Sequence, residues 1–187
     1  TSQKRLAELF GYNCKTNEGV EKFMQIFYKH ITNIKQLNEI LLKYIEHQEK
    51  NFIEDDGKNI GKYFCIKNNS ISVRNKDVFV KDPSKIFEIF LLKDENDNLY
   101  DISANTIRFI RESLALIDNN FRNNKRNKEL FISIFYQKKG VIKSLRKMND
   151  YGVLAAYLKP FGKIVGMMQF DLFHIYTVDA HTLQVVE

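Results

Sequence analysis

Two histidines near the carboxyl end of the chain have neighbours that could help to bind a metal ion. His174 and His181 are seven residues apart, and Asp171 and Asp179 lie close to them in sequence. Imidazole nitrogens and carboxylate oxygens are common ligands of divalent metals, which activate water for hydrolysis. The cluster has no cysteine and no HExxH pattern, so its spacing alone favours a structural role over a metal site.

Charged side chains elsewhere offer a weaker case for a binding site. Arg108 and Arg111 are three residues apart on a predicted helix and could donate hydrogen bonds to a phosphate. Their spacing, with Glu112 beside them, favours instead two solvent-facing arginines next to an apolar stripe. The acidic run Asp94–Asp97 is Asn-rich, as is typical of a solvated loop. His30 and His47 lie in the predicted long helix, and its periodicity is enough to explain their positions without a metal site.

A long amphipathic helix is predicted between Glu18 and about Gln48, because apolar residues recur there every three or four positions. They are Val20, Phe23, Met24, Phe27, Ile31, Ile34, Leu37, Leu41, Tyr44 and Ile45. At 1.5 Å per residue the helix spans roughly 45 Å, enough to be the spine of a small domain. Asn17 is its predicted N-cap, and Asn51–Gly61, rich in Asp, Asn and Gly, ends it.

The segment Tyr63–Val73 has a period of two, with Asn68 and Asn69 where a turn needs positive φ, and this predicts one small β-hairpin. A helix is expected to follow Pro83, with Asp82 or Ser84 as its cap. Further helices are predicted from Ser103, with a stripe reaching Phe121, and at about Lys128–Gln137, Val141–Asn149 and Val153–Leu158. The fold class is therefore all-α: a helical bundle with a long spine helix and one small hairpin.

Length and composition restrict the environment of the protein. A chain of 187 residues that is 44% hydrophobic can build one well-filled core. No apolar run approaches the roughly 18 residues needed to cross a bilayer, and the first residues lack a signal-peptide pattern, so we expect a cytoplasmic protein without membrane contact. Cys14 and Cys65 stand far apart without metal-ligand spacing and are expected to be reduced.

A formal net charge of +6 is compatible with a nucleic-acid partner, but the distribution of the charges along the chain argues against one. Acidic residues are interspersed among the basic ones. The densest basic run, Arg122–Lys128, is followed by Glu129 and lacks the aromatic residues on which single-stranded bases stack. We predict a solvated loop between helices at this run, and no nucleic-acid partner.

Segments along essentially the whole chain are similar, in order, to one enzyme family. They are Leu6–Tyr12, Val20–Met24, Leu37–Glu39, Ile86–Phe90, Ala104–Glu112, Asn149–Leu154, Phe161–Gly166 and Gln169–Leu183. On these segments the chain resembles bacterial protein-PII uridylyltransferase/uridylyl-removing enzymes. The likeness is to their central helical region, up to the point where it enters a metal-dependent HD phosphohydrolase domain.

The resemblance implies a role for His181. In Thr177–Leu183, which reads Thr-Val-Asp-Ala-His-Thr-Leu, this residue matches the first histidine of the H…HD…D ligand set of HD phosphohydrolases. It would bind Mg²⁺ or Mn²⁺ in the larger enzyme, while His174 and Asp179 would cap a helix or hydrogen-bond to a ligand. The other ligands are expected beyond Glu187, so we expect no metal bound to this chain alone.

The same resemblance implies a domain organisation and a function. Residues 1–170 would be the central helical domain and residues 171–187 the first segment of the HD domain. The parent enzyme would transfer UMP from UTP to the PII nitrogen-regulatory protein and remove it by hydrolysis. The chain is expected to be an excised bridging piece, catalytically silent by itself. Two alternatives stay open: the helical region of a related glutamine-synthetase adenylyltransferase, and a free-standing helical module that docks a partner protein.

Overall fold

A computed structural model of the chain describes residues 2–50, 58–67, 69–95, 101–137, 140–168 and 176–185, with the backbone alone at 46–50 and 93–95. The fold is mainly helical, as predicted. Its helices are α1 (Ser2–Leu9), α2 (Asn17–Lys50), α3 (Val78–Lys81), α4 (Lys85–Glu95), α5 (Ala104–Glu112), α6 (Asn119–Asn123), α7 (Lys125–Phe135), α8 (Val141–Asp150), α9 (Val153–Tyr157), α10 (Lys159–Ile164) and α11 (Val178–Val185). None of the helices in these ranges combines the length and apolarity needed to cross a bilayer.

The chain divides into two compact units. The first unit comprises Thr1–Lys35 and Leu158–Glu187, and the second comprises Gln36–Tyr157. The boundary between Lys35 and Gln36 falls inside α2, so this helix contributes its amino-terminal half to one unit and its carboxyl-terminal half to the other. The predicted division at residues 170 and 171 remains a prediction.

The predicted hairpin is present, but it belongs to a larger sheet. The strands are β1 (Lys58–Ile60), β2 (Phe64–Lys67), β3 (Ser70–Val73) and β4 (Asp101–Ile102), in that spatial order. β2 and β3 pair antiparallel with Ile66 opposite Ile71, and Asn69 in the turn has a φ of 59°, a conformation that asparagine tolerates. The prediction of a lone hairpin was incomplete, because β1 and β4 add an antiparallel and a parallel neighbour.

α4 forms the centre of the second unit. Its residues Ile86, Phe87, Ile89 and Phe90 are fully buried, which requires packing partners on more than one side of the helix. The ring of Phe87 lies edge-on to Tyr157, with centroids 4.9 Å apart, and also contacts phenylalanines of α6 and α7. The predicted helix after Pro83 is thus the core element of this unit.

The predicted continuous helix from Ser103 to Phe121 is interrupted. α5 ends at Glu112, a 3-10 turn follows at Leu114–Leu116, and α6 begins after Asp118. The Asp118 carboxylate accepts a hydrogen bond of 2.8 Å from the Phe121 backbone N–H, so it caps a new helix instead of continuing the old one. An apolar stripe can therefore be shared by consecutive short helices.

Two further sequence predictions are corrected at helix ends. The basic run Arg122–Lys128 is not a loop: it spans the end of α6 and the start of α7, where the Asn124 side chain accepts a 3.3 Å hydrogen bond from the Asn127 backbone N–H. Most of the run is exposed. Asn17 is not the residue before the long helix but the first residue of it.

The first unit has its own small core. Five residues of α1, α2 and the loop between them are buried together: Ala7, Cys14, Val20, Phe23 and Met24. The rings of Phe10, Tyr12 and Phe27 all contact Phe23, with centroids 5.4 to 6.1 Å apart. This aromatic cluster holds the amino-terminal end of α2 against the loop that follows α1.

Candidate functional site

His181 lies in α11 with an exposed imidazole. Its backbone N–H donates a 2.9 Å hydrogen bond to the Thr177 carbonyl oxygen, so the residue belongs to the first full turn of the helix. An exposed neutral imidazole can offer a ring nitrogen to a metal ion. His174 and Asp171, the predicted neighbours of this histidine, lie outside the described residues.

Asp179 is on the same helix but has a different environment from His181. Only 6% of Asp179 is exposed, and its Oδ1 accepts a 3.0 Å hydrogen bond from the backbone N–H of Gly166. A carboxylate in the first turn of a helix is also favoured by the helix dipole. One oxygen of the carboxylate therefore accepts a hydrogen bond from a backbone amide. That Asp179 also accepts a hydrogen bond from a metal ligand stays a prediction.

The turn that contains Gly166 packs against α2. The side-chain amide of Gln25 donates hydrogen bonds to the carbonyl oxygens of Lys163 (2.9 Å) and Val165 (3.3 Å). The backbone N–H of Val178 donates a 2.8 Å hydrogen bond to the Met167 carbonyl oxygen. Sequence reasoning did not identify Gln25, because a polar residue on an amphipathic helix gives no sign of a partner 138 residues away.

The described residues do not form a complete metal site. They contain no group of three or more histidine, cysteine, aspartate or glutamate side chains that could hold a metal ion. A catalytic divalent metal usually takes about three protein ligands and keeps a position for water or substrate. His181 fits one of these ligands by its chemistry and exposure, and the described residues offer no complete set around it.

The two predicted phosphate contacts differ in their surroundings. Arg108 is exposed, with its Nε 3.8 Å from Oε1 of Glu112 and its guanidinium 5.0 Å from the centre of the Phe109 ring. Arg111 is partly buried, and its Nη1 atom has no hydrogen-bond partner among the described residues. Since buried guanidinium groups are normally paired, Arg111 is the better candidate for an anion contact, which stays a prediction. Both arginines belong to the second unit and His181 to the first.

A cluster of charged side chains in the second unit was not predicted. Lys43 on α2 lies 3.0 Å from Glu39 and 2.8 Å from Asp101, and its Nζ also donates to the Ile102 carbonyl oxygen at 3.2 Å. Lys147 on α8 lies 2.8 Å from the same Glu39 oxygen. The cluster joins α2, β4 and α8. Within this cluster, only the ion pair of Glu39 and Lys43 can be predicted from the sequence, because the two residues are four positions apart on a helix.

The charges in this cluster stabilise each other's ionised forms. Burial raises the pKa of Glu39, but hydrogen bonds from Lys147 and Lys43 outweigh this and hold the pKa below its ordinary 4.5. The pKa of Asp101 is likewise lowered, because Lys43 outweighs the effect of burial. Burial lowers the pKa of Lys147, yet the hydrogen bond to Glu39 and the nearby carboxylates raise it overall. These pKa shifts are typical of a structural ion cluster, because each of its four charged side chains lies within 3.0 Å of an opposite charge.

Tyr151 lies beside this cluster and is almost fully buried. Burial raises the pKa of its hydroxyl strongly, and the negative charges of Asp101, Glu39 and Asp150 raise it further. Tyr151 therefore stays neutral throughout the physiological range. It cannot act as a phenolate base in this position.

Comparison with known families gives two matches that cover different parts of the chain. Residues 64–157 match the family model described as the uridylyltransferase GlnD third domain. Residues 1–42 match the model described as GlnD PII-uridylyltransferase. No solved structure matches the chain.

Curated relatives align with nearly all of the chain. A bifunctional uridylyltransferase/uridylyl-removing enzyme of Hydrogenovibrio crunogenus is 41% identical over an alignment of 190 positions that covers 98% of this chain and 21% of the relative. Enzymes with the same description from Pseudomonas savastanoi pv. phaseolicola and Pseudomonas fluorescens are 40% and 42% identical, each over 99% of this chain and 21% of the relative. The chain thus spans about a fifth of the length of these relatives.

Proposed function

The chain belongs to the GlnD uridylyltransferase family, and on that premise we propose that it is the helical region between the two activities of a bifunctional enzyme. That enzyme transfers UMP from UTP to the PII protein and removes it by hydrolysis. The observation that carries the proposal is the alignment of 98 to 99% of the chain with uridylyltransferase/uridylyl-removing enzymes at about 40% identity. None of the relatives named above is an adenylyltransferase.

The second unit supplies a stable frame in this proposal. The buried residues of α4 and the ion cluster of Glu39, Lys43, Asp101 and Lys147 fix several helices relative to one another. The pKa shifts in the cluster stabilise the charged forms and are not those of a proton-transferring residue near neutrality. A scaffold role for this unit fits both observations.

The first unit contributes His181 to the hydrolytic site in this proposal. A bound divalent metal, Mg²⁺ or Mn²⁺, would supply an activated water and neutralise charge on the phosphodiester. The role of His181 is to hold that metal through one imidazole nitrogen. Its exposure on α11 and its match to the family motif support this role.

Substitution of His181 tests the proposal in the enzyme that contains this sequence. We expect His181→Ala to lower uridylyl removal from PII-UMP by at least about 100-fold, because the remaining ligands hold the metal and its water poorly. Uridylyl transfer to PII should survive, since its metal site is expected in another domain. Both activities are measured on one purified preparation.

The matched control is Gln184→Ala, which removes an exposed side chain from the same helix. This variant should keep both activities. Unchanged uridylyl removal in His181→Ala would show that His181 is not a metal ligand. Equal loss of removal and transfer would indicate misfolding, which circular dichroism of the same sample detects.

A further inference from the structure

Three hydrogen bonds connect α2, the end of α10 with the turn that follows it, and the start of α11, all within the first unit. Gln25 donates from its side chain to the carbonyl oxygens of Lys163 and Val165. Gly166, the next residue, donates its backbone N–H to the Asp179 carboxylate at 3.0 Å. The turn is thereby held on one side by α2 and on the other by the helix that carries His181.

Gly166 lets this turn approach α2 closely. Its φ of 71° lies in the left-handed region that favours glycine. A β-carbon at this position would lie 3.1 Å from the Gln25 carbonyl oxygen and 3.2 Å from Cγ of Lys29. The space beside Gly166 is therefore too narrow for a side chain, and the turn lies close to the backbone of α2.

α11 needs such an anchor because it is short. It has eight residues, and an isolated helix of this length is not stable in water. Only Asp179 and Leu183 of α11 are buried, and the start of the helix is also held by the hydrogen bond from the Val178 backbone N–H to the Met167 carbonyl oxygen. Asp179 is two residues before His181, and any shift of the anchored end therefore moves the imidazole.

We propose that Gln25 and Asp179 are positioning residues for His181: by holding the turn at residues 163–166 from its two sides, they fix the direction of α11 and hence the place of the imidazole. This inference rests on the proposed function of His181 as a metal ligand. Residues that orient a ligand without touching the metal typically affect metal affinity or activity by about 10- to 100-fold. Asp179 acts as a hydrogen-bond acceptor for the Gly166 amide, and Gln25 acts as a donor to the turn.

The first test measures the anchor itself in this chain. In Gln25→Leu, backbone amides of α11, including that of His181, should exchange with solvent at least about 10-fold faster than in the unsubstituted protein, as expected when a local anchor is lost. Gln184→Leu makes the same substitution at an exposed residue of α11 and should leave these rates unchanged. Equal exchange rates in Gln25→Leu and the unsubstituted protein would overturn the proposal.

The second test measures metal dependence in the enzyme that contains this sequence. The Mn²⁺ concentration for half-maximal uridylyl removal should rise about 10-fold in Gln25→Leu and Asp179→Leu, with uridylyl transfer retained. Asp179→Asn keeps an acceptor oxygen for the Gly166 amide, so this variant should need the same Mn²⁺ concentration as the unsubstituted enzyme. If Asp179→Asn needs as much Mn²⁺ as Asp179→Leu, the role of Asp179 as acceptor for the Gly166 amide is refuted.

His181→Ala separates failure of this inference from failure of the proposed function. If His181→Ala loses uridylyl removal while the Leu variants keep their Mn²⁺ dependence, the positioning role alone is wrong. If His181→Ala retains removal, the proposed function is wrong and the positioning role falls with it. Circular dichroism of each variant identifies one that has failed to fold, and Asp179→Asn then serves as the conservative alternative.

Discussion

The two halves of α2 pack in opposite ways. In the first unit the helix buries apolar residues, Val20, Phe23 and Met24. In the second unit it presents Gln36, Glu39 and Lys43 to the interior, while Leu37 and Leu41 and other apolar side chains remain exposed. A single amphipathic pattern thus packs by its apolar face at one end and by its polar face at the other.

This difference shows that an apolar stripe does not by itself identify the covered face of a helix. Most of the stripe predicted for α2 is exposed, including Ile34 at 61% and Leu41 at 55%. The polar face can be covered because its charges are paired: Lys43, with 15% of its side chain exposed, has two carboxylates and a carbonyl oxygen within 3.2 Å. A buried charge without such partners would be strongly destabilising.

The largest effect is expected from the apolar end of α2. Phe23→Ala should lower the free energy of unfolding by about 3 kcal/mol, because it removes a buried ring that three other aromatic rings contact. Urea unfolding followed by circular dichroism measures the change. Ile34→Ala, an exposed apolar residue of the same unit, should change it by less than about 0.5 kcal/mol. Similar losses in both variants would show that the stripe is covered along its whole length.

A smaller change in the free energy of unfolding is expected from substitution in the carboxyl-terminal half of α2, where the polar face is covered. Lys43→Met should cost about 1 to 2 kcal/mol, because Glu39 and Asp101 lose a shared cation but keep some exposure to water. The same urea experiment measures this loss. Lys22→Met breaks a pair of the same spacing with Glu18 on the exposed surface of α2, and should have no measurable effect. If the two variants behave alike, the ion cluster does not hold the second unit together.

The smallest effect concerns pH. The pKa values of Glu39 and Asp101 are lower in the folded protein than their ordinary 4.5 and 3.8, so the folded state binds fewer protons near these values. Their contribution to stability is therefore present above the ordinary pKa and is lost as the pH falls through the lowered pKa. The pKa of Lys147 is raised above 10.5, so its contribution is lost only as the pH rises through that raised value.

Thermal unfolding between pH 7 and pH 3 tests this dependence. The melting temperature should fall below about pH 4.5, and it should fall less steeply in Glu39→Gln, which has no carboxylate to protonate. Glu112→Gln removes an exposed carboxylate of the second unit and should leave the slope unchanged. An identical slope in Glu39→Gln would show that the cluster does not couple to folding.

Local sequence patterns predicted the helices and the hairpin better than they predicted which strands pair in the sheet and where one helix ends and the next begins. The long helix and the hairpin turn at Asn69 were found because periodicity and turn chemistry depend on neighbouring residues. β4 was missed because it has only two residues, and its pairing of Ile102 with Ile71 joins distant parts of the chain. The break after α5 was missed because the cap at Asp118 competed with an apolar stripe that continued through it.

The sequence by itself determined the mainly helical class, the family and the place of His181 in the Thr177–Leu183 motif, because these depend on residue types and their order. Only the tertiary structure decided which face of α2 is covered in each half and which partner Asp179 holds. The first depends on contacts between residues far apart in the chain, such as Glu39 and Lys147 with a sequence separation of 108, and the second depends on the turn that brings Gly166 to α11. A side chain's environment is set by what the fold brings beside it, and no local pattern contains that information.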